Sequence, residues 1–142
     1  MALISLMERV LLDTSVLIDY LRGVENAKAV IERVESGNLD GFISAVTVAE
    51  IYAGLDDSDK SETVLIEALL SLFITAPVDY KVAKKAGELK NTSGVLLSDC
   101  IIAATAVTLE CKVWTINIKD FERMKGIIFE KPYSNHYTNY SC

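Results

Sequence analysis

Short apolar runs alternate with longer segments of helical periodicity along most of this chain. The runs are four to six residues long and include β-branched residues, which is typical of buried strands. They lie within residues 9–13, 41–46, 73–76, 112–115 and 127–130. The sequence therefore predicts five short strands distributed over the length of the chain.

Between these runs, apolar residues recur at the three- and four-residue spacing of amphipathic helices. The predicted helices cover about residues 14–21, 26–36, 47–55, 60–73, 79–91 and 99–110, with a helical turn at 118–124. Thr14 or Ser15 can cap the first helix and Ser98 the sixth. The sixth helix is apolar on nearly every side, so we expect it to be central and buried.

Alternation of strands and helices predicts an α/β fold, with a largely parallel sheet of about five strands flanked by helices. The length of 142 residues fits a single domain with one core. No apolar run reaches the roughly 18 residues of a membrane-spanning helix, and the N-terminal apolar part is too short for a signal peptide. We therefore expect a cytoplasmic protein without a membrane partner.

The cysteines and the net charge narrow the possible chemistry. Cys100, Cys111 and Cys142 are odd in number and widely spaced, which argues against a disulfide framework and a structural zinc site. Cys100 and Cys111 lie in apolar surroundings and are interpreted as small core residues. The net charge of −6 opposes nonspecific nucleic-acid binding by the whole surface. It allows a local basic rim, and it fits a group of carboxylates that holds a cation.

Four acidic residues and one asparagine stand at the ends of predicted elements. Asp13 closes the first strand, Asp99 opens the sixth helix, and Glu50 lies early in the helix after the second strand. Asn117 and Asp120 follow the fourth strand directly. Ligands of open α/β sheets bind beyond the carboxyl ends of the strands, so these five side chains can converge on one edge.

Carboxylates that share a pocket repel one another, and a divalent cation relieves that repulsion. Ligation by oxygen alone points to Mg²⁺ or Mn²⁺ rather than to zinc. Such a site can polarise a phosphoryl oxygen and activate a water for attack on phosphorus. The pattern is thus typical of metal-assisted phosphodiester hydrolysis.

Each acid also has a purely structural interpretation. Thr47 and Glu50 form a capping-box pattern, Asp99 could favour the dipole of its helix, and Asp120 could be an exposed first-turn acid. Asp13 is the hardest to explain in this way, because apolar residues flank it on both sides. Asp19, in the middle of the first helix, is interpreted as a surface residue.

Four segments together resemble the motifs of the PIN domain family. They are RVLLDTSVLIDYLRG with Asp13, ISAVTVAEIYAG with Glu50, LSDCIIAATAV with Asp99, and VWTINIKDFERMKGI with Thr115, Asn117 and Asp120. They occur in the family's order, and the resemblance covers about residues 7–132. The chain is most similar to the VapC-like branch, the toxins of bacterial and archaeal toxin–antitoxin pairs.

The resemblance implies a three-layer α/β/α fold and an endoribonuclease that depends on Mg²⁺ or Mn²⁺. It also implies an RNA substrate, a cognate antitoxin protein and a homodimer. It assigns Asp13, Asp99 and Glu50 to the metal, with Glu50 orienting or deprotonating the attacking water. Asn117 and Asp120 would support a second metal or the water network, and the hydroxyls of Thr14, Ser15 and Thr115 would orient the acids.

The sequence departs from the family pattern at one site position and at its N-terminus. Asn117 occupies a position where many members carry an acid, so Asp120 could supply that charge instead. Residues 1–6 are interpreted as an N-terminal extension and residues 133–142 as a loosely attached C-terminal tail. Arg22, Lys90, Lys119 and Arg123 lie near motif ends, where they could contact phosphates or be solvated helix-end cations.

Other functions remain open at this point. Haloacid dehalogenase-like phosphatases also place an aspartate after the first strand, but they need a second aspartate where this chain has Ser15. A housekeeping RNA-processing nuclease without an antitoxin would carry the same site. A catalytically weak PIN binding module is the third alternative, although Asp13, Glu50 and Asp99 are all present.

Overall fold

The computed structural model describes residues 7–56 and 60–134. The predicted N-terminal extension, most of the predicted tail and Cys142 lie outside this described part. No helix within it is long and apolar enough to cross a membrane.

A five-stranded parallel sheet forms the centre of the described structure, as the sequence predicts. The strands are β1 (Arg9–Leu12), β2 (Asp40–Ser44), β3 (Ile74–Ala76), β4 (Lys112–Trp114) and β5 (Phe129–Glu130). Their spatial order is β3-β2-β1-β4-β5. Strands β2 and β3 thus lie on one side of β1, and strands β4 and β5 lie on its other side. The strand order reverses between β1 and β4, where α/β sheets bind their ligands.

Seven helices of the described chain cover the two faces of the sheet. They are α1 (Thr14–Leu21), α2 (Glu25–Glu35), α3 (Ala45–Ala53), α4 (Lys60–Leu70), α5 (Tyr80–Ser93), α6 (Leu97–Leu109) and α7 (Ile118–Glu122). Leu11 of β1 belongs to a core with residues of α5, α6 and α7, whereas Val10 and Leu12 belong to a second core with residues of α1 to α4. Because alternate residues of β1 enter different cores, the fold is the predicted three-layer α/β/α arrangement.

Helix α6 is the predicted central helix, and six of its 13 residues are buried, including Cys100 at 0% exposure. The prediction that Ser98 caps it was wrong, because α6 already begins at Leu97 and Leu96 occupies the N-cap position without a side-chain cap. The preceding loop is also shorter than predicted, since α5 runs to Ser93. It ends at Gly94, whose φ of +71° is left-handed and favours glycine.

Two further predictions about α1 were wrong. Asp13 itself occupies the N-cap position, so neither Thr14 nor Ser15 caps the helix, and no side-chain cap bond forms there. Asp19 is not a surface residue, because it is only 8% exposed and accepts a 2.7 Å hydrogen bond from the Tyr133 hydroxyl. Its burial follows from the chain after β5, which returns over α1 and brings Tyr133 onto the core. The beginning of the predicted tail is therefore attached to the domain.

Candidate metal and catalytic site

Three strand ends place the predicted acids at one edge of the sheet. Asp13 directly follows β1, Asn117 follows β4 by three residues, and Glu50 lies in the helix that β2 leads into. Asp99 lies in the first turn of α6 and Asp120 in the first turn of α7. We call Asp13, Glu50, Asp99 and Asp120, together with Asn117, the carboxylate cluster.

Hydroxyl groups hold the buried carboxylate of Asp13, which is 3% exposed. Its Oδ2 accepts hydrogen bonds from Ser15 Oγ at 2.7 Å and from Thr115 Oγ1 at 2.8 Å. Thr115 Oγ1 in turn accepts a bond from the Asn117 backbone N–H at 2.8 Å. These partners fix the carboxylate in one orientation and tie the end of β1 to the end of β4.

Glu50 is held in the same way, and this excludes the capping-box interpretation. Helix α3 begins at Ala45, and its cap is Ser44, whose hydroxyl accepts from the Val46 backbone N–H at 3.1 Å. Glu50 Oε1 accepts a 2.7 Å hydrogen bond from Thr14 Oγ1, which also lies 2.9 Å from Thr47 Oγ1. A hydroxyl has one proton to donate, so Thr47 is the donor to Thr14 when Thr14 donates to Glu50.

Asp99 and Asp120 meet around the amide of Asn117. Asn117 Nδ2 donates to Asp120 Oδ2 at 2.6 Å and reaches Asp99 Oδ2 at 3.5 Å. The side chains of all three residues are half-buried. Asn117 therefore links the two acids as a donor, which an acid at this position could not do while ionised.

The pKa values of two carboxylates of the cluster, Asp13 and Asp99, are raised. Burial, followed by repulsion from Asp13, Asp120 and Glu50, raises the pKa of Asp99 to about 7. Burial also raises the pKa of Asp13, although the hydrogen bonds from Ser15 and Thr115 oppose that change. The ion pairs found in the described part of the chain include none with a carboxylate of the cluster. The ion pairs of the described residues therefore supply no positive charge that would compensate the negative charge of the cluster.

The donor set fits a divalent cation that keeps its own water. Among residues 7–56 and 60–134, no three His, Cys, Asp or Glu side chains form a ready-made metal-binding group. Mg²⁺ needs no such group, because it usually takes one or two carboxylates directly and retains several waters. The mutual repulsion that raises the pKa of Asp99 is the physical feature that such a cation would relieve.

A cavity of about 310 Å³ opens beside the cluster. Its lining includes Ser15 and Asn117 of the site, together with Asp19 and Arg22 of α1. Arg22 thus lies near the site, whereas Arg123 donates a 2.7 Å hydrogen bond to the Ser93 carbonyl.

The sequence does not reveal the supporting role of the Thr47 hydroxyl, because the spacing of Thr47 and Glu50 matches a capping box.

Comparisons with known proteins agree with this geometry. A family model described as PIN domain matches residues 10–127. Ribonuclease VapC10 of Mycobacterium tuberculosis is 31% identical over 119 residues, which are 79% of this chain and 85% of that protein. Ribonuclease VapC of Rickettsia bellii is 33% identical over 125 residues, which are 80% of this chain and 89% of that protein.

Solved structures show the same fold. A toxin–antitoxin complex from Klebsiella pneumoniae contains a chain that is 28% identical, with a TM-score of 0.71 over 89% of this chain and 99% of that chain. The matched residues 10–127 include every member of the carboxylate cluster. The family resemblance of the four motifs is therefore confirmed, and this chain belongs to the PIN domain family.

Proposed function

We propose that this protein is an endoribonuclease that depends on Mg²⁺ or Mn²⁺ and acts as the toxin of a toxin–antitoxin pair. The observation that carries the proposal is the carboxylate cluster, whose acids form no ion pair with a cationic side chain of the described residues. Relatives named ribonuclease VapC, matching about four fifths of the chain, support RNA as the substrate.

The proposed reaction is hydrolysis of an RNA phosphodiester bond. Asp13 and Asp99 would hold the divalent cation, directly or through water. When bound, the cation would stabilise negative charge on the phosphoryl oxygens and favour deprotonation of the attacking water. Glu50, fixed through Oε1 by Thr14, is the group proposed to orient that water and accept its proton. Asn117 would keep Asp120 and Asp99 oriented toward the same edge.

The direct test is cleavage of labelled RNA with Mg²⁺ or Mn²⁺, compared with EDTA. We expect Asp99→Asn to reduce cleavage by about 100-fold or more, because the substitution removes a charged ligand and changes the shape little. Asp13→Asn should act similarly, with thermal melting to verify that it folds. The matched control is Asp79→Asn, since asparagine also caps helices well and Asp79 caps α5 away from the site. Cleavage that survives EDTA or Asp99→Asn would contradict the metal mechanism.

The same experiment separates the two alternatives that share this fold. A catalytically weak binding module would bind RNA or a partner without metal-dependent cleavage. A housekeeping nuclease would cleave RNA but would not arrest growth when overproduced. We expect growth arrest that is relieved by a small protein encoded beside this one, and no arrest with Asp99→Asn. The Klebsiella pneumoniae structure, described as a toxin–antitoxin complex, supports such a partner.

We also propose a homodimer, with α4 at its interface. Val64 and Leu65 of α4 are 66% and 47% exposed, and such neighbouring apolar side chains favour a protein contact. Sedimentation should show a dimer that Val64→Lys weakens. The control is Ile128→Lys, because Ile128 is equally apolar and 71% exposed but lies beside β5. A monomeric unmodified protein would contradict the proposal.

A further inference from the structure

The outer face of α5 carries a row of cationic side chains. Lys81, Lys84 and Lys85 are spaced so that they lie on one side of the helix, while Val82, Ala86 and Leu89 are buried on the other. The outer face lines two neighbouring cavities of about 740 Å³ and about 400 Å³, and Lys85 and Glu88 line both of them. We call this surface the basic groove and define it by Tyr80, Lys81, Lys84, Lys85, Arg123 and Lys125.

The charge of this surface contrasts with that of the whole chain. Within α5 there are four lysines and one acidic residue, in a protein whose net charge is −6. That acid, Glu88, pairs with Lys84 at 3.2 Å, and Glu110 lines the far end of the larger cavity. Lys81, Lys85 and Lys125 form no ion pair in the part of the chain that the structure describes. Three cations of the groove are therefore available to an anionic partner.

The two ends of the groove differ in chemistry. At one end Tyr80 is 82% exposed and presents an aromatic ring to solvent. At the other end Arg123 follows α7, the helix whose first turn carries Asp120. One helical turn thus separates the groove from the carboxylate cluster. Since α5 has 14 residues, the groove extends about 20 Å away from the catalytic edge.

We propose that the basic groove binds single-stranded RNA that flanks the cleaved bond, with lysines on phosphates and Tyr80 stacked on a base. This inference rests on the proposed ribonuclease function and adds a path for the substrate. Regularly spaced cations with an exposed aromatic ring match the general chemistry of single-strand binding. An acidic protein segment would use the cations but would gain little from the exposed ring, which is why RNA is favoured.

The test uses the full chain with Asp99→Asn, so that RNA is bound but not cut. The groove variant combines Lys81→Gln, Lys85→Gln and Lys125→Gln. The control combines Lys28→Gln, Lys60→Gln and Lys131→Gln, which removes the same charge from exposed lysines outside the groove. The probe is a labelled single-stranded RNA of about 30 nucleotides, longer than the roughly 4–16 nucleotides covered by one typical single-strand site.

Each lost phosphate contact should reduce the slope of log affinity against log salt by about 0.7. For the groove variant, which removes three such contacts, the magnitude of the slope should therefore decrease by about 2. For the control variant the slope should hardly change. Between 50 and 200 mM salt, the affinity of the parent protein should fall about 16-fold more than that of the groove variant. Tyr80→Ala should weaken binding by about fivefold or more, with little change in salt dependence.

Cleavage supplies an independent comparison with Asp99 intact. The groove variant should lose kcat/KM on the long RNA but keep it on an RNA of about 4 nucleotides, which is too short to fill the groove. A parent protein that binds RNA but cuts none would contradict the ribonuclease function and leave the groove supported. Equal salt slopes for groove and control variants would overturn the groove proposal. A changed oligomeric state with unchanged RNA binding would overturn it as well, because the groove would then be a protein contact.

Discussion

The two halves of the carboxylate cluster are supported in opposite ways. Asp13 and Glu50 are held by hydroxyl donors, from Ser15 and Thr115 in one case and from Thr14 in the other. Asp99 is surrounded by like charges that, with burial, raise its pKa to about 7. The protein alone therefore fixes the orientation of Asp13 and Glu50. The carboxylate of Asp99 instead experiences electrostatic repulsion from its neighbours, which a bound cation would reduce.

Loss of the Thr115 hydroxyl should give the largest effect on stability. Thr115→Val keeps the shape but removes the donor to the buried Asp13 carboxylate and the acceptor of the Asn117 N–H. We expect a loss of about 3 kcal/mol in the free energy of unfolding, because the buried Asp13 carboxylate and the partly buried Asn117 N–H each lose a partner. Thr105→Val is the matched control, since that buried hydroxyl only donates to the Ile101 carbonyl of its own helix. Equal losses in both variants would show that the hydroxyls do not preorganise the site.

Asp99→Asn should instead stabilise the metal-free protein above pH 7. The folded-state pKa of about 7 lies above the unfolded value of 3.8, so the folded protein binds more protons between these values. Stability then falls as the pH rises from about 4 to 7. Asparagine removes this loss, which we put at about 1 kcal/mol after allowance for solvent screening.

Thermal melting in EDTA between pH 4 and pH 8 tests this expectation. The variant should melt about 3 °C above the parent at pH 8, and the difference should shrink toward pH 4. Asp79→Asn controls for the general effect of removing one negative charge. A variant that is less stable at pH 8 would indicate that Asp99 is held by favourable contacts, like Asp13.

Tyr133→Phe tests hydroxyl support of an acid outside the cluster and should have the smallest effect. The substitution removes only the hydroxyl that donates to Asp19. We expect a loss of about 0.5–1 kcal/mol, typical of one hydrogen bond with partial access to water. Chemical denaturation measures it, with Tyr80→Phe as the control because Tyr80 is exposed. No loss would mean that water replaces the Tyr133 hydroxyl.

The sequence was sufficient for the parallel sheet, the buried α6 and the convergence of the five site residues. These features follow from apolar periodicity and from the rule that strand ends meet at one edge. The supporting contacts depend on tertiary distance instead. Thr14 and Glu50 are 36 positions apart, and Thr115 and Asp13 are 102 apart. No local pattern reveals which hydroxyl will face which acid.

The errors in the prediction have the same origin. The predicted cap at Ser98 rests on the preference of serine for that position, but α6 begins one residue earlier, at Leu97. The alternative interpretation of Thr47 as a cap fails similarly, because α3 begins two residues earlier, at Ala45. Helix boundaries commonly shift by this amount. The prediction that Asp19 is exposed is wrong because nothing near it in sequence indicates that Tyr133 covers it.

The pairing of β1 with β4 has a consequence for the order of synthesis. A growing chain that has reached residue 56 contains Asp13 and Glu50 but lacks Thr115, Asn117 and Asp120. At about 5–20 residues per second, the ribosome needs roughly 3–13 s more to add these three. The carboxylate cluster is therefore assembled from segments that lie far apart in the sequence. A nascent or prematurely terminated product that stops before residue 115 would lack all three of these residues and could not form the complete site.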